Sequence, residues 1–108
     1  RERRVAVAEC RARRMKESVF QIQQLAATFP CLVGAPEIVS WQPLKLDEWA
    51  ASGKPSHGEI VSARFLLAVW NPDEAWQSGR FDLMEALSVW DTNHHQAFLE
   101  WAREPWWA

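Results

Sequence analysis

The chain has 108 residues, of which 48% are hydrophobic and 24% charged, with a net charge of −2. This length supports one domain with a single modest core, and the composition is that of a globular protein. No stretch approaches the roughly 18 consecutive apolar residues of a membrane span, and no continuous apolar segment follows the basic N-terminus, so neither a membrane protein nor a secretory signal is expected.

The small net charge conceals an asymmetry. Residues 1–16 hold seven basic and two acidic side chains, a balance of +5, whereas residues 17–108 hold five basic and twelve acidic ones, a balance of −7. The expected layout is a basic helical extension over 1–16 on an acidic body over 17–108. Eight tryptophans, all from residue 41 onward, and no tyrosine complete the unusual features.

Residues 2–29 contain neither Gly nor Pro and read as one long helix. Val5, Ala8, Ala12, Met15, Val19, Ile22, Ala26 and Phe29 alternate in steps of three and four, an unbroken heptad stripe. The stripe is thin and Ala-rich before Met15. Beyond it, Phe20 and Leu25 are expected to widen the apolar face into one that packs on a core. In a parallel homodimer through this stripe Arg4 would meet Glu9 favourably, but Arg11 would meet Lys16, so the charges do not specify that pairing.

Pro30 ends the helix, and Gly34, Pro36 and Pro43 punctuate an irregular segment. Within it, Ile38 to Trp41 reads as a short extended stretch with no partner strand. A short helix from Leu46 to Ser52 follows, closed by Gly53. Ser56 and Glu59 have the spacing of a capping box and open a helix to about Trp70. Its second half is almost wholly apolar, which places it at the centre of the core.

Asn71, Pro72, Asp73 and Glu74 have the signals of a further helical turn, closed by Gly79. Asp82 is positioned to cap a helix with Leu83, Ala86, Leu87 and Trp90 on one side. Asp91 or Thr92 caps the last helix, which Pro105 stops, leaving Trp106 and Trp107 on a tail. Leu67-x-Val69-Trp70-Asn71 recurs as Leu87-x-Val89-Trp90-Asp91, which suggests two similar Trp corners or a chance echo. The fold class that follows is all-α: a small multi-helix domain with a long N-terminal helix and several short Trp-rich helices.

No motif specifies catalysis. Cys10 and Cys31 lie too far apart for a bridge on one helix and a turn, and read as reduced thiols of a cytoplasmic protein. Neither has a histidine at metal-ligand spacing, so no metal or other cofactor is expected. His94 and His95 point about 100° apart on a helix and do not chelate together. They and His57 read as surface or capping residues, and Ser88 near His94 has no spacing that favours a nucleophile.

Trp49, Trp70 and Trp90 lie on apolar faces and read as core. Trp106 and Trp107 either fold back to close the core or form an exposed knob, and a knob marks a protein contact. Base stacking by the tryptophans is disfavoured by Asp91, Glu100 and Glu104 nearby. Arg4, Arg11 and Arg14 on the extension dock on an acidic protein surface, track the phosphates of a nucleic acid, or are merely solvated. The expected function is a non-catalytic interaction or assembly module, binding a protein partner or itself through Trp106, Trp107, Arg4, Arg11 and Arg14. The alternative is a small nucleic-acid-associated protein with phosphate contacts from residues 1–16.

Overall fold

The computed structural model describes the backbone of residues 2–108 and the side chains of residues 15–108. The described residues form an all-α domain with no strand. Its helices are α1 (Glu2–Ala27), α2 (Pro36–Val39), α3 (Pro43–Ala51), α4 (His57–Trp70), α5 (Leu83–Val89) and α6 (Thr92–Arg103), with a 3-10 turn at Pro30–Leu32 after α1.

The heptad stripe of α1 is buried only toward its C-terminal end. Ile22, Ala26 and Phe29 are fully enclosed, whereas Met15 is 66% exposed. Phe20 departs from expectation: it is 62% exposed and does not widen the buried face. On a 3.6-residue helix it lies about 160° from Ile22, so it cannot share that face. The final carbonyls of α1 are satisfied locally, because Thr28 Oγ1 donates to the Leu25 carbonyl at 2.6 Å. Phe29 is then extended, as a residue before proline is disposed to be.

Ile38 and Val39 are helical rather than extended. Pro36 starts this single turn at its first position, and Gln23 of α1 donates Nε2 to the carbonyls of Ile38 (3.0 Å) and Val39 (2.9 Å). A cap supplied from another helix holds a segment too short to be helical alone. Helix α3 begins earlier than its apolar spacing indicates, because Pro43 occupies its first turn. Gly53, at φ +83°, follows its C-terminal end.

Helix α4 is the central element. Its capping box is complete: Ser56 accepts from the Glu59 amide while Glu59 accepts from the Ser56 amide. Val61, Ser62, Ala63, Phe65, Leu66, Leu67 and Val69 are all buried. Phe65 is the hub of the aromatic core, with ring centroids of Trp101, Phe81, Phe29, Phe98 and Trp90 at 5.1, 5.2, 5.5, 5.5 and 6.1 Å. Trp90 is buried, and Trp49 and Trp70 are half-buried against the same core.

Residues 71–82 correct the sequence reading, for they form turns and not a helix. Asn71 Oδ1 accepts from the Asp73 amide at 3.2 Å, and the Asn71 carbonyl accepts from the Glu74 amide at 3.4 Å, which closes a single turn, and from Trp76 Nε1 at 3.2 Å. Two distant side chains fix the segment. The buried carboxylate of Asp47 on α3 accepts from the Gln77 and Ser78 amides at 2.9 and 2.8 Å. Arg64 on α4 donates to the Ser78 carbonyl at 2.6 Å and to Glu85 at 2.8 Å. Gly79, at φ +99°, passes so close that an added Cβ would meet the Arg64 guanidinium at 3.4 Å. The two Leu-x-Val-Trp copies are therefore unlike: Trp90 leads through Asp91 into α6, whereas Trp70 leads into this pinned loop.

Candidate interaction surface

Pro105 follows the end of α6, and the tail beyond it turns back on the body. Trp106 is half-buried, and its carbonyl accepts from Trp101 Nε1 at 3.0 Å. Trp107 sets its ring edge-on to Trp101 at 5.5 Å. The Ala108 amide donates to the Val69 carbonyl at 3.0 Å, tying the tail to the end of α4. Trp107 nonetheless remains 56% exposed. The tail thus combines both expected arrangements: Trp106 closes the body, and Trp107 projects from a fixed backbone.

Each of these tryptophans borders a different hollow. Trp107 lines one of about 710 Å³ with Met15, Ser18, Trp70 and the turn at Asn71–Asp73. This is where the apolar stripe of α1 emerges from the body. Trp106 lines a groove of about 310 Å³ between α1 and α6, with Phe20 and Leu25 on one wall and Ala97 and Trp101 on the other. Glu100 lies on the rim of that groove. Met15 beside Trp107 in the first hollow and Phe20 beside Trp106 in the second are exposed apolar side chains next to tryptophans. Neither Met15 nor Phe20 is expected at a surface from the sequence, since Met15 belongs to the heptad stripe and Phe20 is expected to widen its apolar face. The side chains of Arg4, Arg11 and Arg14 lie outside the described residues.

One histidine differs from expectation, whereas His57 is exposed. His94 is buried, not a surface residue. Its Nδ1 lies 2.7 Å from Asp91 Oδ1, and its Nε2 accepts from the Cys31 amide at 3.3 Å. Since the amide can only donate, Nε2 is the acceptor and Nδ1 donates to Asp91. Ser62 extends this polar cluster, accepting from Trp90 Nε1 at 2.8 Å and donating to the Gly58 carbonyl at 2.8 Å. The Cys31 thiol lies 3.5 Å from Ser62 Oγ.

Burial pushes the Cys31 thiol above its ordinary pKa, which favours the neutral form over a nucleophilic thiolate. The hydrogen bonds from His94 hold the Asp91 carboxyl below its usual value. His57 lies 3.4 Å from Glu85, and Ser88 donates its hydroxyl to the Glu85 carbonyl at 2.6 Å. Neither histidine–carboxylate pair lines the two hollows described above. The cluster's evident work is to join the turn after α1 to α4 and α6.

Among the described residues, no three His, Cys, Asp or Glu side chains converge as a metal site requires. No described helix is long and apolar enough to cross a membrane. The chain is a small all-α domain with a tryptophan-bordered apolar surface. No family model matches it, and no curated protein or solved structure was found to be similar.

Proposed function

We propose that this chain is a non-catalytic interaction or assembly module. Its contact surface is built around Trp107, Trp106, Met15 and Phe20, with Arg4, Arg11 and Arg14 supplying positive charge. The observation that carries the reading is Trp107: a large ring 56% exposed on a backbone anchored by the Ala108–Val69 hydrogen bond. An exposed tryptophan on an ordered backbone loses little conformational freedom when it is covered, which favours its use as an anchor.

The test is a photo-crosslinking amino acid placed at position 107 of the full chain. The expected result is an adduct of one discrete mass, lost when Met15→Glu puts a charge in the adjoining hollow. A smear of adducts, or none, would remove Trp107 as a contact residue.

A further inference from the structure

The groove between α1 and α6 has an apolar floor, with one carboxylate, Glu100, and the neutral Gln21, Gln24 and Thr28 around it, and the chain itself contains a basic segment that can lie against it. Leu25, Ala97 and Trp101 contribute apolar surface, Phe20 and Trp106 border it, and Glu100 is exposed at its edge. A shallow hollow beside Phe20 adds Glu17, together with Lys16. Residues 2–14 hold five basic side chains against Glu2 and Glu9, a balance of +3, whereas residues 15–108 hold six basic and twelve acidic ones, a balance of −6. The apolar positions of that basic segment are small, Val5, Ala8 and Ala12, as close approach in a shallow groove requires.

The segment cannot fill the groove of its own chain. Helix α1 is continuous from Glu2 to Ala27, and its own residues Phe20 to Thr28 form one wall. A continuous helix does not fold onto its own flank.

We propose that the groove receives residues 2–14 of a second copy of this chain. The exchange is reciprocal, giving a closed dimer in which each basic arm lies along the other copy's α1 and α6. This inference rests on the interaction reading above and names its partner.

Light scattering on the full chain tests it. The expected mass is twice the 12.5 kDa of one chain, with a dimer that loosens as salt is raised. Two full-length variants then separate arm from groove. One reverses the arm with Arg4→Glu, Arg11→Glu and Arg14→Glu. The other makes the groove basic with Gln21→Lys, Gln24→Lys and Glu100→Lys, three exposed positions. Each variant alone is expected to be monomeric with unchanged helical circular dichroism. An equimolar mixture is expected to recover the dimer mass, because each arm then meets a groove of opposite sign. Recovery also shows that both variants are folded.

A wild-type chain that stays monomeric at submillimolar concentration overturns the proposal. So does a dimer that survives both reversals, or a mixture that stays monomeric. None of these results touches the crosslinking test at position 107, which decides the broader reading independently.

Discussion

His94 Nε2 accepts the backbone N–H of Cys31 across 63 positions of sequence, and this bond ties the turn after α1 to the first turn of α6. The same imidazole packs beside Phe29, with centroids 5.9 Å apart. Replacing it by His94→Leu keeps the apolar contact but removes both polar ones. Unfolding free energy is expected to fall by about 1–3 kcal/mol, the cost of leaving hydrogen-bonding groups without partners. Urea denaturation measures the loss, and the Cys31 amide is expected to exchange faster. An unchanged midpoint would mean that water replaces the imidazole freely.

Asp91 gives a pH dependence whose sign is determined. Its carboxyl is held below the ordinary 3.8, first by the side-chain hydrogen bond with His94 and then by the His94 amide. A depressed folded pKa means that the unfolded chain binds the proton more readily. The contribution is therefore present above about pH 4 and is lost as pH falls below 3.8 through the folded value. Asp91→Asn is expected to reduce the acid dependence of stability in that window. Denaturant titrations of both proteins from neutral pH downward check this, and parallel curves would show that Asp91 contributes nothing.

The loop over 71–82 is expected to depend on a residue thirty positions away. Asp47→Ala removes the acceptor for the Gln77 and Ser78 amides. The cost is about 2–3 kcal/mol for hydrogen bonds to a charged group. Hydrogen exchange should rise locally at Gln77 and Ser78, while the amides of α4 keep their protection relative to global stability. Asp47→Asn retains one acceptor oxygen and is expected to fall between the two. Equal stability of all three proteins would remove Asp47 as the anchor.

These contacts explain which parts of the structure are legible in the sequence. The capping box of Ser56 and Glu59, and the caps at Asp82 and Asp91, act over three residues, so spacing alone reveals them. The same is true of Gly53 after α3. Asn71 and Pro72 carry equally good local signals, yet no helix follows them. There Asp47 and Arg64 outweigh local preference, and neither is adjacent in sequence. The short helix α2 is the converse case, made helical by Gln23 of α1. At the candidate surface the tail tryptophans are visible in sequence. The exposure of Phe20 follows from its place on the helix opposite Ile22, but that of Met15 is not legible, because a heptad stripe does not say where the body that covers it ends.

Phe65 and Trp107 offer the clearest contrast between a ring that holds the fold and one available to a partner. Phe65 is 2% exposed and meets five other aromatic rings. Phe65→Ala is expected to cost about 3–5 kcal/mol through lost burial and the cavity left behind. That is a large fraction of the 5–15 kcal/mol typical of a domain. Trp107 meets only Trp101 among the aromatic pairs, so Trp107→Ala is expected to cost about 0.5–1.5 kcal/mol. Thermal and urea unfolding of the two variants rank them. If Trp107→Ala destabilised the chain as much as Phe65→Ala, its ring would be part of the core, and the surface around it would lose its anchor.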